Sequence, residues 1–379
     1  MLNIAIAAGG TGGHIFPGIS IAEKFISELD NVNVIFIGSK NGIENRIVKK
    51  YGFNIVQIDV HKLYRYYILK NLLFPIYLIR SILQAKRIFQ NMNIDIFIGC
   101  GGFVSGSAGL SALWLRLPFF LQEQNSFPGV STRLLAKSCK RLYIGNLDAK
   151  QHFKSSRLVG TKIKYTGNPI RKFKKVRKQE ALTFWNFKDK KTIFIYGGSQ
   201  GSHSLNKNFS VIIDKILKKD IQIIFQTGFS DFKEINNKFG NRKGMVIQPF
   251  FDNIEYAYSA SDLAICRAGA ISLTEISHFG LPAILIPFPY SAGQHQLKNA
   301  KSFVKKGAAE MITEDELNPK ILFCKILDII NDKNRLLEMS SSLKSLVIQD
   351  SAKRIVDDII EHFVPNPKYE NVQLIGERC

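Results

Sequence analysis

Short apolar runs rich in β-branched residues alternate with longer amphipathic stretches along the first half of the chain. Apolar runs of roughly four to eight residues predict strands, and apolar positions spaced three to four residues apart predict helices. The predicted strands are residues 4–8, 34–38, 55–59, 94–99, 119–122 and 141–144. The predicted helices between them are residues 15–29, 42–51, 72–92, 104–115 and 130–138. Alternation of this kind indicates βαβ units around a parallel sheet.

The same alternation restarts at residue 192, after a basic and polar stretch that is typical of a linker. Strands are predicted at residues 192–196, 221–226, 246–249, 263–266 and 283–287, and helices at residues 202–217 and 351–363. We therefore predict an α/β fold of two Rossmann-like, doubly wound domains that face a cleft. The expected division is residues 1–166, a linker at 167–191, a second domain at 192–350, and residues 351–379 as a helix, free to pack back on the first domain, with a tail.

The charge of the chain suits an anionic partner. Its 379 residues include 52 Lys and Arg against 31 Asp and Glu, a formal net charge of +21. Nucleic acid, anionic lipid and phosphorylated substrates all fit such a balance, and so does a lysine-rich surface without any partner. The basic residues do not interleave with aromatic residues as they do in common nucleic-acid-binding folds, which argues against that class.

The cysteines and the apolar runs exclude several other classes. The five cysteines form no CxxC pair and the histidines are scattered, so neither a zinc site nor a disulfide framework is predicted, and reduced thiols in the cytoplasm are expected. The N-terminal apolar run is interpreted as the first strand, since it lacks a basic leader and a cleavage site. The longest apolar candidate for a membrane span, residues 66–83, is interrupted by Lys70, Pro75 and Arg80.

Three glycine-rich loops, at residues 9–14, 99–106 and 197–201, each follow a predicted strand and open a helix. Glycine lets the backbone approach a ligand closely, and the N-terminus of a helix favours phosphate. Any one loop is compatible with a tight turn, but three at strand ends predict a cleft for a phosphorylated ligand. His14 ends the first loop, and an imidazole can accept a proton near neutral pH. No acidic residue ends the second strand, so a dinucleotide is not predicted.

Polar side chains gather at other strand ends. Residues 122–125 read Gln-Glu-Gln-Asn, and their amides suit either sugar hydroxyls or a turn. Glu275 lies in the second turn of a helix that follows Arg267, where a carboxylate can accept both hydroxyls of a ribose or simply suit the helix. Gln294, Gln296 and Asn299 form a further polar cluster.

In order along the chain, the motifs GGTGGHIFP, GGFVSG, EQNSFPG, GNPIR, GGSQGS, CRAGAISLTE and HQLKNA resemble the MurG family of N-acetylglucosaminyltransferases. The resemblance extends over residues 4–363 and implies the GT-B architecture, an acceptor- and membrane-binding first domain and a UDP-sugar-binding second domain. It also implies inverting transfer of N-acetylglucosamine from UDP-N-acetylglucosamine to the 4-hydroxyl of the muramoyl sugar of lipid I, which gives lipid II. The expected location is the cytoplasmic face of the bacterial inner membrane.

The same resemblance implies individual site residues, with no metal and no cofactor. His14 would be the base, Glu275 would hold the ribose, Phe251 would present its backbone to uracil, and Arg171 and Ser199 would lie near the diphosphate. The full set expected to contact the donor is Thr11, Gly12, Gly13, Asn125, Arg171, Ser199, Phe251, Ala270, Ile271, Ser272, Leu273, Thr274, Glu275 and Gln296. Gln294 is an alternative to Gln296, and Gln122 stands where the family often has histidine.

A membrane-binding surface is expected on the segment of residues 64–89. Leu72, Leu73 and Phe74 are predicted to contact an anionic membrane, and packing of this helix on the sheet is the alternative. The basic residues around them are Lys62, Arg65, Lys70, Arg80, Lys86 and Arg87.

Other functions also remain open for the whole chain. They are another GT-B transferase, a UDP-N-acetylglucosamine 2-epimerase, a nucleic-acid-binding protein and a non-catalytic scaffold. The EQNSFPG motif and the basic apolar helix argue against the epimerase, and the presence of both His14 and Glu275 argues against the scaffold.

Overall fold

The computed structural model describes residues 1–61, 72–153 and 162–363, and its strands form two parallel sheets. The strands of the first sheet are β1 (Leu2–Ala7), β2 (Val32–Ser39), β3 (Asn54–Ile58), β4 (Ile96–Gly99), β5 (Phe119–Glu123), β6 (Arg141–Ile144) and β7 (Ile163–Tyr165). Those of the second are β8 (Thr192–Tyr196), β9 (Gln222–Gln226), β10 (Met245–Gln248), β11 (Leu263–Cys266), β12 (Ala283–Leu285) and β13 (Glu310–Met311). The predicted pair of doubly wound α/β domains is confirmed.

The helices lie between the strands. In chain order they are α1 (Gly12–Glu28), α2 (Glu44–Lys50), α3 (Phe74–Asn91), α4 (Gly102–Trp114), α5 (Val130–Leu135), α6 (Lys178–Phe184), α7 (His203–Ser210), α8 (Ile213–Leu217), α9 (Phe229–Phe239), α10 (Ile254–Ala260), α11 (Ala270–Phe279), α12 (His295–Lys305), α13 (Pro319–Ile330), α14 (Lys333–Ser345) and α15 (Ser351–Phe363). Short 3₁₀ helices span Leu147–Phe153 and Ala292–Gln294.

Three local predictions were wrong or incomplete. The helix predicted at residues 202–217 is divided at Val211 and Ile212 into α7 and α8. The stretch expected as a linker contains α6, which packs against α10. Strands β7 and β13 are only three and two residues long and were not predicted, because so short a run carries no readable alternation.

The order of the strands determines where a ligand can bind. The first sheet runs β3-β2-β1-β4-β5-β6-β7 and the second runs β10-β9-β8-β11-β12-β13. Chain order reverses between β1 and β4, and again between β8 and β11. Connections that leave adjacent strands in opposite directions open a crevice at the carboxyl ends of those strands. The glycine-rich loops follow β1, β4 and β8, so all three border one of these crevices.

The central strands of each sheet are buried on both faces, as parallel sheets require. Along β1, Ile4 and Ile6 belong to the apolar core on the α1 side, whereas Ala5 and Ala7 belong to the core on the opposite side. Two further cores enclose the second sheet in the same way. This continuous burial explains why the strands are apolar throughout instead of alternating with polar residues.

The last helix, α15, returns to the first domain. Its residues Ile355, Val356 and Ile359 are fully buried in the core that α1 covers. The Tyr143 hydroxyl donates to Asp358 Oδ2 at 2.8 Å. Burial, reinforced by the nearby Asp358 carboxylate, raises the pKa of Tyr143, so its phenol stays a neutral donor. The chain therefore crosses between the domains twice, once near residue 168 and once before α15.

Candidate active site

A cleft of about 720 Å³ lies between the carboxyl ends of the two sheets. Both domains line it. The residues expected to contact a sugar nucleotide that lie on its wall are Thr11, Gly12, Gly13, His14, Asn125, Arg171, Ser199, Ala270, Ile271, Ser272, Glu275 and Gln296. Phe251, Leu273 and Thr274 are not on that wall, and Leu273 is buried in an apolar core.

The two domains touch across this cleft through their glycine-rich loops. The Gly12 amide donates to Ser199 Oγ at 3.3 Å, and Gln200 Nε2 donates to the Gly10 carbonyl at 3.0 Å. These contacts bring the first loop of the first domain against the loop after β8. A ligand held by one loop is therefore within reach of groups on the other.

A buried carboxylate supports the first loop. Gly10, at φ +86°, donates its amide to Glu44 Oε2 at 3.1 Å, and Ser39 donates its amide and its hydroxyl to Glu44 Oε1 at 2.9 and 2.6 Å. Burial alone would raise the pKa of Glu44, but these hydrogen bonds outweigh burial and hold it below its ordinary value. Sequence reasoning missed this residue, because it looked for an acid at the end of β2 and Glu44 lies five positions later, on α2.

A buried guanidinium supports the loop after β8. Arg267 donates to Ser202 Oγ from Nε at 3.0 Å and from Nη2 at 2.6 Å, and it forms an ion pair with Glu314. The same serine oxygen caps α7 by accepting from the Leu205 amide. Arg267 follows β11 directly, and that position at a strand end was the available signal for its role.

Arg171 and Glu275, which were expected to serve different parts of the donor, form one buried ion pair. Arg171 donates to Glu275 Oε1 from Nε at 3.0 Å, and the Tyr258 hydroxyl donates to Glu275 Oε2 at 2.8 Å. The guanidinium also lies 3.9 Å from the centre of the Phe16 ring. Burial lowers the pKa of Arg171, but Glu275 and the two nearby tyrosines more than offset it, so the side chain stays charged.

His14 is held from two sides. Its Nδ1 lies 3.0 Å from Gln124 Oε1, and Gln124 Nε2 donates to the Cys100 carbonyl at 2.7 Å. Gly101, at φ +108°, lies directly against the ring, because a Cβ at this position would stand 2.5 Å from Nδ1. Sequence reasoning left the amides of residues 122–125 open between sugar hydroxyls and a turn, whereas the structure places the Gln124 amide against His14.

The other expected residues have partners within the protein. The buried Phe251 donates its amide to Gln226 Oε1 at 2.9 Å. Asn125 donates to Glu123 Oε1 at 3.2 Å. Gln296 lines the cleft and accepts from the Phe288 amide at 2.9 Å, whereas Gln294 does not line the cleft.

Metal-binding and thiol chemistry have little support in residues 1–61, 72–153 and 162–363. These residues hold no group of three or more His, Cys, Asp or Glu side chains that could bind a metal ion. Cys100, Cys139, Cys266 and Cys324 are free thiols. Burial raises the pKa of the Cys100 and Cys266 thiols to about 12, so neither is a thiolate at neutral pH.

An exposed apolar surface lies on the first domain, on α3 and the turn before it. Leu72 and Leu73 are 77% and 51% exposed, and Ile76 and Ile79 continue the same surface. Phe74 begins α3 and is half-buried, and the opposite side of α3 buries Ala85 and Phe89 in the core. Of the basic residues expected here, Lys62, Arg65 and Lys70 lie outside the described residues. Among the helices described, none is long and apolar enough to cross a bilayer.

Comparison with known proteins assigns both halves of the chain. Residues 4–144 match the glycosyltransferase family 28 N-terminal domain, and residues 192–356 match the glycosyltransferase family 28 C-terminal domain. A protein of Parabacteroides distasonis named UDP-N-acetylglucosamine–N-acetylmuramyl-(pentapeptide) pyrophosphoryl-undecaprenol N-acetylglucosamine transferase is 35% identical over 364 residues, covering 94% of this chain and 97% of the relative.

Solved structures show the same fold. The crystal structure of Acinetobacter baumannii MurG superposes with a TM-score of 0.71 at 25% identity, covering 95% of this chain and all of that one. A UDP-GlcNAc 2-epimerase from Neisseria meningitidis, bound to UDP-GlcNAc, superposes with a TM-score of 0.67 at 13% identity, covering 95% of this chain and all of the other. The second likeness concerns the fold alone.

Proposed function

The chain belongs to the MurG family of N-acetylglucosaminyltransferases, and from that premise we propose how its cleft carries out the transfer. The reaction moves N-acetylglucosamine from UDP-N-acetylglucosamine to the muramoyl sugar of a pyrophosphoryl-undecaprenol pentapeptide, which forms lipid II. The observation that carries the residue roles is the contact of the His14 loop with the loop after β8, since it brings a base and a diphosphate site together.

The second domain holds the donor. Glu275 accepts the ribose hydroxyls once Arg171 turns from it toward the diphosphate, and the Phe251 carbonyl accepts from the uracil ring. Ser199 and the loop amides after β8 donate to the phosphates, which the N-terminus of α7 also favours. Residues 270–272 at the start of α11 and Gln296 complete the pocket on the sugar side. Donor binding thus exchanges the Arg171–Glu275 ion pair for contacts of both side chains with the nucleotide.

His14 removes the proton from the acceptor hydroxyl. A sugar hydroxyl is a weak nucleophile at neutral pH, and a positioned base accelerates its attack by about 10²–10⁴-fold. Attack on the anomeric carbon from the face opposite UDP inverts the configuration in one displacement. Negative charge then develops on the β-phosphate, where amide donors and helix N-termini stabilise the transition state. Thr11, Gly12, Gly13 and Asn125 contact the sugar of the donor from the side on which the acceptor approaches.

A transfer assay tests this function directly. The protein is incubated with radiolabelled UDP-N-acetylglucosamine and a lipid I analogue in the presence of EDTA, and the product is analysed for the disaccharide. We expect a β-linked disaccharide and release of UDP. Interconversion of the free nucleotide sugar without transfer would instead indicate an epimerase, and salt-sensitive retention on DNA without UDP binding would indicate a nucleic-acid-binding protein.

The apolar surface of α3 docks the enzyme on the anionic inner leaflet, where its acceptor resides. Exposed leucine and isoleucine side chains next to the basic residues Arg80 and Arg87 have the composition of an interfacial helix. Such a surface places the mouth of the first domain at the membrane and keeps the protein peripheral.

Vesicle co-sedimentation tests the docking. The double variant Leu73→Ser/Phe74→Ser should lose binding to anionic vesicles while keeping its activity on a water-soluble acceptor analogue. Leu337→Ser is the matched control, because Leu337 is a comparably exposed leucine (59%) on α14, far along the chain from α3. Equal binding by wild type and the double variant would contradict the proposal.

A further inference from the structure

The cleft contains a directional chain of side-chain hydrogen bonds that joins His14 to the second domain. From the second domain inward, Asn168 Nδ2 donates to Thr274 Oγ1 at 3.2 Å, and Gln122 Nε2 donates to Asn168 Oδ1 at 3.2 Å. Gln124 Nε2 donates to Gln122 Oε1, and His14 Nδ1 meets Gln124 Oε1 at 3.0 Å. The chain ends on a backbone acceptor, since Thr274 Oγ1 donates to the Ala270 carbonyl at 2.9 Å.

Backbone carbonyls fix the direction of this chain. Gln124 Nε2 also donates to the Cys100 carbonyl at 2.7 Å, and Asn168 Nδ2 also donates to the Gln124 carbonyl at 3.2 Å. A carbonyl can only accept, so each of these amides must turn its NH₂ group toward the carbonyl and its oxygen away from it. The oxygen of Gln124 therefore faces His14, and the oxygen of Asn168 faces Gln122.

Burial makes the direction costly to reverse. Gln122, Gln124 and Asn168 are 1%, 3% and 6% exposed, so a lost hydrogen bond leaves a buried polar group without its partner. If one amide were flipped, its NH₂ group would face another donor and its oxygen would face a carbonyl oxygen. A buried polar group left unpaired in this way costs about 1–3 kcal/mol. Successive hydrogen bonds with the same direction also polarise one another.

We propose that Gln124 is a positioning residue that holds His14 as its Nδ1–H tautomer and so leaves Nε2 unprotonated to accept the proton of the sugar hydroxyl. An amide oxygen can only accept, so the ring nitrogen that faces it must carry the proton. Gln122, whose role the sequence left open, keeps Gln124 in this orientation. The proposal rests on the proposed function only in naming the proton that Nε2 receives.

The chain also joins the orientation of the base to the arrangement of the domains. His14, Gln122 and Gln124 belong to the first domain, whereas Thr274 lies on α11 next to Glu275. Asn168 lies in the segment that connects the domains, and its hydrogen bonds to Gln122 and Thr274 join the two groups. The hydrogen bond between Asn168 and α11 is therefore also the outermost support of the His14 imidazole.

Nitrogen NMR of the imidazole rings tests the tautomer. The protein is labelled with ¹⁵N-histidine, and the signal of His14 is identified from its absence in His14→Gln. We expect the Nδ1–H tautomer in wild type, a mixture with the Nε2–H tautomer in Gln124→Met, and the wild-type tautomer in Gln124→Glu, whose carboxylate still accepts from Nδ1. Gln122→Met should give a smaller change than Gln124→Met.

Ser126→Ala is the matched control, because it removes a buried contact between the domains, from Ser126 Oγ to Asn299 Oδ1 at 2.7 Å, without touching the chain. It should leave the His14 signal as in wild type.

In the transfer assay, Gln124→Met should lower kcat by about 10- to 100-fold and leave the donor KM unchanged. Loss of a partner that orients an imidazole has an effect of this size at metal sites. A proton on Nε2 in wild type, or an unchanged tautomer in Gln124→Met, overturns the proposal. Failure of wild type to transfer sugar would count against the proposed function and would leave the ring signals readable.

Discussion

Two glycine-rich loops, one after β1 and one after β8, face each other in the cleft and differ in the charge that supports them. The first is held by the Glu44 carboxylate, which accepts the Gly10 amide. The second is held by Arg267, whose guanidinium donates to Ser202 Oγ and is balanced by Glu314. A carboxylate that accepts from a loop amide occupies that donor and repels a phosphate there. No carboxylate accepts from the described amides of the second loop. Loops that look alike in sequence thus suit different partners.

This difference supports the proposed division of the reaction between the loops. In that proposal the loop after β8 binds the diphosphate of the donor, and the loop after β1 carries the base. Glycine around the first loop then serves close packing more than phosphate binding. Gly102, in the loop after β4 and at φ +83°, approaches the first loop so closely that a Cβ there would lie 2.5 Å from the Gly9 carbonyl oxygen.

Removing the base should produce the largest loss. His14→Ala should lower kcat by about 10²–10⁴-fold, since the acceptor hydroxyl then loses its proton acceptor. The affinity for UDP, measured by calorimetry, should remain that of wild type, because the assignment places the diphosphate on the other loop. Turnover that survives in His14→Ala would rule out His14 as the base. Weakened UDP binding would contradict the placement of the diphosphate on the loop after β8.

Displacing the base should have the next largest effect. In Gly101→Ala the new Cβ would stand 2.5 Å from His14 Nδ1, so the ring must move. A displacement of about 1 Å at a catalytic group can cost about 10²-fold in rate. The measurement is kcat with the donor at saturation.

Gly52→Ala is the control for backbone strain. Gly52 also has a positive φ, +80°, but nothing lies within 4 Å of its Cβ position. It should lose about 1–2 kcal/mol of stability in urea unfolding, the cost of a left-handed conformation, and keep its kcat. Equal loss of activity in both variants would mean that strain, and not the position of His14, is responsible.

Sequence could predict the loops and the cleft but not the charges behind them. The β-branched runs and the rule for strand order place all three loops at the carboxyl ends of strands, and the loops after β1 and β8 line the cleft. The pairs that distinguish the loops join residues far apart in the chain, since Glu44 and Gly10 are separated by 34 positions and His14 and Gln124 by 110. Arg171 and Glu275 are separated by 104. No local pattern encodes such contacts, because tertiary packing selects them.

The break between α7 and α8 was unpredictable for a different reason. Neither of the two positions at the break, Val211 and Ile212, is glycine or proline. The spacing of the apolar residues around them fits one continuous amphipathic helix. Packing on the second sheet buries Ile212 and Ile213 together and divides the helix there. Tertiary contacts override a local helical pattern in such a case.

Changing Glu275, the carboxylate proposed to bind the ribose, should affect donor binding more than turnover. Glu275→Gln should raise the donor KM by about 10- to 100-fold, which corresponds to the roughly 1.5–3 kcal/mol of hydrogen bonds to a charged group. Tyr258→Phe is the control, since it removes the hydroxyl that donates to Glu275 Oε2 but keeps the carboxylate, and its effect on KM should be smaller. An unchanged KM in Glu275→Gln would remove the ribose role and leave the carboxylate as a structural partner of Arg171 and Tyr258.

Removing the carboxylate that supports the first loop should lower the stability of the protein and leave donor binding almost unchanged. Glu44→Gln should lower the free energy of unfolding at pH 7 by about 1–3 kcal/mol, because an amide cannot satisfy the Gly10 and Ser39 donors together. The pKa of Glu44 is lower in the folded protein than its ordinary value of 4.5, so its contribution is complete above pH 4.5 and is lost as the pH falls through the folded value. Urea unfolding of wild type and variant should therefore differ at pH 7 and converge in acid. If Glu44→Gln instead bound UDP-N-acetylglucosamine much more tightly, the carboxylate would be repelling the donor phosphates, and the first loop would have to lie at the diphosphate after all.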